Sequence, residues 1–374
     1  MSGKQRSQNR STTHKCPQIK FSPYMSEIGI GVIGCGFIAQ AAHLPAFSRL
    51  EDVRLTAICD KRVKLARLLA EKYRIPKVYS SHLDLLEDGD VDAVLVLTGK
   101  FSHKSIVVDA CRAGKHVFVE KPMATTAKDA KTMVEEADRT GVKLMVGYMK
   151  RYDSGVKIAR EILTEMSSSD TITYVRTHIF GGDWVCGPTI HPIIDTGEPK
   201  PEEEKVYPEY GEKFAHVTEA LLEQIHDINL TRYMLGDPRN VGYAYDWGNG
   251  SFIAVLNYGD FPAVLEQGWI TADFWDERME IYMRNGWVKL TLPPPLLRNV
   301  PAKVEVYKAG KVQREEHPHG IWKWSFEAEA EHFIDCVRKD LTPISDGHDS
   351  YKDLVVVEAI LKSMGERKPV NLRF

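Results

Sequence analysis

Ile28-Gly-Ile-Gly-Val-Ile33 runs without a break into Gly34-Cys-Gly36-Phe-Ile-Ala39. The first six residues are apolar and short, as a buried strand is. Gly34 and Gly36 permit a tight turn and a close approach of backbone to a pyrophosphate. The small Ala39 lets a following helix pack on the strand, and the helix N-terminus then faces the anion. The next strand, Val53 to Cys59, ends at Asp60. A carboxylate in that place accepts ribose hydroxyls and opposes a 2′-phosphate. Alone, such a glycine turn joins any strand to any helix. With a strand before it, a helix after it and an acid at the end of the next strand, it reads as a dinucleotide site, with Phe37 and Ile38 beside the ligand. Lys61 and Arg62 would tolerate a phosphate or merely begin a solvated helix, so NAD is favoured and NADP stays open.

Working outward, a helix around Val63 to Tyr73, a short strand near Val78, a strand Ala93 to Leu97, a helix near Ser105 to Ala113, a strand His116 to Val119, a helix Ala127 to Thr140 and a strand Lys143 to Gly147 follow in turn. Strands alternating with helices predict a doubly wound parallel sheet. After Gly147 the rhythm changes. Strand-like runs at Thr171 to Phe180, Asn240 to Ala244, Ser251 to Tyr258, Ala263 to Thr271, Met279 to Met283, Gly286 to Leu292 and Val304 to Tyr307 have few helices among them. They predict a mostly antiparallel sheet, joined by helices over Thr218 to Leu235, Phe326 to Arg338 and Tyr351 to Met364. The fold class is therefore α/β with a C-terminal α+β half. Residues 1–26 form a polar tail, residues 27–148 the dinucleotide domain and residues 149–374 the second domain. Cys186 to Phe214, rich in Pro, Glu, Lys and Tyr, reads as a long loop of the kind that borders a site.

The 374 residues carry a formal charge of −3, with 43% hydrophobic and 27% charged residues. Such a balance offers no attraction for nucleic acid or an anionic membrane surface. No apolar run is long enough to span a bilayer. Six scattered cysteines without a CxxC pair read as reduced thiols of a cytoplasmic protein with no metal site.

The strand that ends the run of apolar residues Val117 to Val119 delivers Glu120-Lys121-Pro122. Behind a dinucleotide turn, this puts the Lys121 ammonium beside the place of a nicotinamide ring, with Glu120 next to it. Thr98-Gly99-Lys100 ends the preceding strand, where loops meet a cofactor in such sheets. Thr98, Lys100 and His103 are contact candidates there, or plain loop residues.

Several further stretches carry a family likeness: His43-Leu-Pro-Ala46, Ala113 to Pro122, Gly147-Tyr-Met-Lys-Arg-Tyr-Asp-Ser-Gly155, and His226-Asp-Ile-Asn-Leu-Thr-Arg-Tyr-Met-Leu-Gly236. From about Ile28 to the C-terminus the chain resembles the Gfo/Idh/MocA oxidoreductases, which include glucose–fructose oxidoreductase and inositol dehydrogenase. The resemblance implies a Rossmann domain, a second domain whose open sheet face forms dimer or tetramer contacts, and a cis Lys121–Pro122 bond. It implies His226 as the base and Lys121 as its partner. Oxidising a secondary alcohol removes a proton, which imidazole can take near neutral pH, and develops alkoxide charge, which an ammonium stabilises. Tyr148, Lys150, Arg151 and Asp153 would line the pocket of a polyol or carbohydrate substrate, with His178, Asp183, Trp184, His191 and Trp269 as weaker candidates. The family commonly has Asp four residues before the histidine. Here Leu222 stands there, and Glu223, three residues before His226, is the carboxylate that would share its helix face. Inositol or sugar dehydrogenation is the leading expectation. A family glycosidase using NAD transiently and a non-catalytic cofactor sensor are the alternatives.

Overall fold

The computed structural model describes residues 27–187, 193–269 and 273–374. The tail to residue 26, His191 and the end of the run expected to reach Thr271 lie outside the described residues. Strand β1 (Ile28–Ile33) is buried along its whole length, as a strand covered on both faces must be. It pairs in parallel with β2 (Val53–Cys59) and β4 (Ala93–Val96). With β3 (Lys77–Tyr79), β5 (His116–Glu120) and β6 (Leu144–Gly147) these form a six-stranded parallel sheet in the order β3-β2-β1-β4-β5-β6. Helices α1 (Leu44–Phe47), α2 (Val63–Tyr73), α3 (His82–Leu86), α4 (His103–Arg112) and α5 (Ala127–Thr140) link the strands. The order reverses between β1 and β4, and ligands of such sheets bind in the crevice at the carboxyl ends there.

The turn after β1 requires glycine. Gly34 has φ +102°, and a Cβ on it would come within 2.7 Å of the Leu97 carbonyl carbon, so a side chain would pry β1 from the end of β4. The helix after this turn is not regular. Ala39–His43 is a π-helical turn ahead of α1. Such turns insert a residue and recur at functional sites. Here the turn leaves His43 buried.

Beyond β6 the chain forms α6 (Ser154–Ser167), a helix that the strand-dominated expectation for this region omitted. Val156, Ala159, Leu163 and Met166 bury one of its faces, and the Asp153 carboxylate caps its first turn. Then come β7 (Ile172–Phe180), α7 (Ala215–Glu223), α8 (His226–Leu235), β8 (Asn240–Gly248), β9 (Ser251–Asn257), β10 (Pro262–Gly268), β11 (Asp276–Met283), β12 (Gly286–Thr291), β13 (Lys303–Lys308), β14 (Arg314–Glu316), α9 (Ser325–Lys339), α10 (Gly347–Glu366) and β15 (Val370–Asn371). The nine strands form one sheet in the order β14-β13-β12-β11-β7-β10-β9-β8-β15. Its pairs are antiparallel except β7 with β10. The short edge strands β14 and β15 carry no sequence signal of their own. The helix expected over Thr218 to Leu235 is two helices, because Gln224 leaves helical geometry (φ −102°, ψ 27°) between them.

The second half of the chain is not merely appended to the first. Phe118 of β5 sits at the centre of an edge-to-face cluster, with ring centroids 5.1 Å from His43, 6.0 Å from Phe47 and 5.7 Å from Phe333 of α9. After α9 the chain passes along the free edge of β6, where Val146 N–H donates to the Ser345 carbonyl at 2.9 Å. One apolar core thus spans β5, α1 and α9. Truncating a large buried ring there costs transfer and cavity energy together. Phe333→Ala is expected to lower the unfolding free energy by about 3–5 kcal/mol, read from the denaturant midpoint. A loss below about 1 kcal/mol would show that α9 is dispensable to this core.

Candidate active site

The residues expected at a dinucleotide lie at and just beyond the carboxyl ends of β1, β2, β4 and β5. Cys35 N–H, between the two glycines, donates to Asp60 Oδ2 at 2.7 Å. A Cβ built on Gly36 would meet nothing within 4 Å, so the backbone there faces open space, as a pyrophosphate cradle requires. Phe37 and Ile38 open the helical stretch after the glycines, and Phe37 meets the edge of Trp184 at 5.3 Å. Asp60 is buried and already holds Arg62, which reaches Oδ1 through N–H (2.8 Å) and Nε (3.0 Å) and Oδ2 through Nη2 (3.0 Å). Lys61 points to solvent.

Thr98 and His103 both bond to neighbouring loop residues. Thr98 Oγ1 accepts from Ser102 at 2.9 Å. Both ring nitrogens of buried His103 meet backbone carbonyls, Nδ1 that of Pro122 at 2.9 Å and Nε2 that of Thr98 at 3.1 Å. His103 therefore ties the end of β4 to the Lys121–Pro122 turn, whose peptide bond is cis. Lys100 is paired with Glu219 at 2.5 Å.

Glu120 is buried at the end of β5, a place that disfavours a charged carboxylate. It keeps its charge because His43 Nε2 lies 2.7 Å from Oε1 and the Lys121 amide donates to Oε2 at 2.9 Å. Burial alone would raise its pKa, yet the His43 hydrogen bond and the His43 and Lys121 charges carry it below the usual value. His43, which belongs to one of the family-like stretches, gains a role only from this contact. Glu120 in turn fixes the backbone from which Lys121 projects. Burial lowers the Lys121 pKa from 10.5, and neighbouring Lys150 and Lys100 push the same way against Glu120 and Glu223. Its Nζ donates to the Glu223 carbonyl at 2.7 Å.

That carbonyl ends α7, and His226 begins α8. The helix break overturns the premise that Glu223 and His226 share one face. Glu223 presents its backbone oxygen to Lys121, its side chain is exposed, and Leu222 is fully buried. Buried Nδ1 of His226 finds no hydrogen-bond partner among the described residues. Tyr148 meets the imidazole edge to face at 5.8 Å. Burial first, then the charges of Lys150 and Lys121, drive the His226 pKa well below 6.5, so the ring is neutral and free to accept a proton. Burial, with Asp353 nearby, holds the Tyr148 phenol in its neutral form.

Lys150 is ion-paired with fully buried Glu277 of β11 and lies 3.9 Å from Oδ1 of Asp227, the residue after His226. Burial pushes the Asp227 carboxyl far above the carboxylate range, with Lys150 opposing and Glu277 reinforcing. Asp227 and Glu277 were absent from the sequence candidates. A charged residue inside a strand or directly after a histidine is a signal only once its partner is known.

The two other pocket candidates serve the scaffold. Arg151 bonds Asn229 Oδ1 (2.6 Å) and the Ile344 carbonyl (2.9 Å) and pairs with Asp349 (2.6 Å). Asp153 Oδ1 accepts from Gly155, Val156 and Ala302 amides at 2.8–3.1 Å. Of the weaker candidates, His178 is held on the outer sheet face between Glu266 (3.1 Å) and Asp276 (3.2 Å). Asp183 accepts from Val185 N–H at 3.0 Å. Trp269 is 45% exposed.

Comparison with known proteins agrees with this architecture. A myo-inositol 2-dehydrogenase of Thermotoga maritima is 25% identical over 360 residues, covering 92% of this chain and 98% of that protein. A D-apiose dehydrogenase of Paraburkholderia graminis is 25% identical over 371 residues, covering 91% and 89%. The crystal structure of an aldose-aldose oxidoreductase from Caulobacter crescentus, complexed with glycerol, superposes with a TM-score of 0.72 at 24% identity, covering 92% of this chain and all of that one. Residues 28–148 match the oxidoreductase family's NAD-binding Rossmann fold and residues 304–372 its C-terminal alpha/beta domain. The chain belongs to the Gfo/Idh/MocA family of NAD(P)-dependent oxidoreductases.

Proposed function

We propose that this oxidoreductase moves a hydride between NAD and a secondary alcohol of a cyclitol, sugar or glycoside, with Lys121 and His226 as its catalytic residues. The observation that carries this reading is the Lys121 ammonium, at the carboxyl end of the parallel sheet, bonded to the Glu223 carbonyl three residues before His226, whose buried Nδ1 has no partner among the described residues. Bound NAD would supply the hydride acceptor, with Gly34, Gly36, Phe37 and Ile38 at its pyrophosphate and Asp60 towards its ribose. His226 takes the hydroxyl proton. Lys121, released from the Glu223 carbonyl, hydrogen-bonds the oxygen as it gains charge. Tyr148, edge to face with the His226 ring, and Lys150 would orient substrate hydroxyls. The polar character of this wall suits a substrate with several hydroxyls, as does similarity to dehydrogenases of inositol and apiose. Glu223 sits at the mouth, where its exposed carboxylate would meet a distal hydroxyl.

We propose further that the chain is cytoplasmic and assembles with copies of itself. All five described cysteines are free thiols. No helix among the described residues is long and apolar enough to cross a membrane. Tyr243, Tyr245 and Trp247 alternate along β8 on the open sheet face, each more than half exposed, an aromatic stripe of the kind that a second copy covers. The residues 27–148 and 149–374 would then divide the work, the first holding cofactor and the second substrate and partner.

A screen of polyols and glycosides with NAD, followed by NADH absorbance, tests the activity. NADH accumulation is the expected result. Release of an aglycone without net NADH would show a glycosidase, and nucleotide binding with neither would show a sensor. Lys121→Ala should reduce kcat by about 10²–10⁴-fold while NAD affinity stays within a few fold, and undiminished turnover removes Lys121 from the chemistry. The acidic limb of kcat/KM for oxidation should lie below pH 6.5, because burial with Lys150 and Lys121 lowers the pKa of His226. A limb at or above pH 6.5 would mean that another group accepts the proton. Replacing both Tyr243 and Tyr245 with Glu should shift the particle mass measured by light scattering towards the monomer, and an unchanged mass would place the contact elsewhere.

A further inference from the structure

Within the long segment before α7, Ile194 and Glu198 lie against the helical stretch after the glycine turn and the start of α2. Ile194 exchanges two hydrogen bonds with the Gln40 side chain of the π-helical turn, at 2.8 and 3.2 Å. Glu198 then reaches the start of α2. Its Oε1 accepts the Lys64 amide at 3.1 Å and its Oε2 the Leu65 amide at 3.0 Å, while the Thr196 hydroxyl donates to Oε2 at 2.7 Å. Thr196 is the main cause that keeps the Glu198 carboxyl below its usual pKa; burial opposes it, and the two amides and the Lys64 charge assist.

The start of α2 is where the two nicotinamide dinucleotides differ. In a doubly wound sheet the adenosine ribose lies against the acid that ends the second strand. A 2′-phosphate there must be met by a cation or by free amides just after that acid. Here Arg62 is committed to Asp60 by three hydrogen bonds. The first-turn amides of α2 are filled by Glu198.

We propose that Glu198, a residue of the second half of the chain, selects NAD over NADP by occupying the amides and supplying the negative charge that a 2′-phosphate would encounter. The inference rests on the oxidoreductase reading but concerns a residue outside its catalytic pair. It makes cofactor choice the joint act of two carboxylates, Asp60 from β2 and Glu198 from the segment before α7. A plain 2′-hydroxyl needs neither the α2 amides nor a cation, so NAD is unaffected by Glu198.

Calorimetric titration of the full chain with NAD and with NADP tests this, for wild type, Glu198→Ala and Glu198→Gln. Glu198→Ala should tighten NADP by about tenfold or more and leave NAD within about threefold. Glu198→Gln removes the charge and keeps an acceptor, so it should move NADP part of the way. It also reports on the charge if the alanine variant folds poorly. An NADP-to-NAD ratio unmoved in both variants, or wild type that prefers NADP, overturns the inference alone. Wild type that binds neither nucleotide overturns the oxidoreductase reading along with it.

Discussion

Glu120 keeps its negative charge in a place where burial alone would neutralise it, and the reactive face of the protein depends on how. The charge survives because His43 and the Lys121 amide lie against its two oxygens. His43 is there because the chain after the glycine turn winds as a π-turn. The π-turn can follow so closely because Gly34 lets β1 end against β4. Lys121 then leaves a backbone that cannot drift, and its ammonium reaches the end of α7. The chain of dependence runs from a glycine with positive φ to a reactive amine without passing through any cofactor. The scaffold thus fixes the place of Lys121 by itself, as the catalytic role proposed for it would require.

A second set of constraints holds the opposite wall. Arg232 of α8 pairs with Asp353 (2.5 Å) and Asp349 (2.9 Å) of α10 and with Asp237 (2.7 Å). Asn229 adds a bond to Asp353 at 2.7 Å, and Arg151 joins through Asn229 and Asp349. The network is buried and fully ionic on its cationic side, an arrangement that fixes position more than it stabilises. It locks α8 against α10, and His226 is the first residue of α8. Arg151, expected near substrate, instead helps hold the helix that carries His226.

The parts of this protein legible from sequence are those whose cause is local. Branched apolar strands, the Gly34–Ala39 turn and the acid at Asp60 announce a Rossmann sheet because backbone sterics and pleat period act over a few residues. Lys121 is legible because its motif sits at a strand end. The break between α7 and α8 is not. Leu221, Leu222, Ile225 and Ile228 continue a helical apolar stripe across it, so periodicity shows one helix where packing makes two. Helix α6 escapes a reading that places Asp153 in the pocket, although the carboxylate is a local signal for a helix cap. Lys150 with Glu277 and Glu198 with α2 are out of reach, since each charge finds its partner more than a hundred positions away. The loop containing Glu198 has no period to read, and its meaning appears only where it lands.

The break at Gln224–Ile225 also has a directional consequence. His226 stands at the N-terminus of α8, where the helix dipole opposes a positive charge, beside two lysines that oppose it as well. An imidazole so placed is ready at any moderate pH to receive a proton, and reluctant to keep one. In the role proposed for His226, alcohol oxidation would begin from the neutral ring that these surroundings favour. Ketone reduction would have to begin from a form that is scarce at neutral pH, with a donor that must be loaded first. By shaping a single kink between two helices, the chain sets three separate influences, a helix dipole and two lysines, against a positive charge on one imidazole.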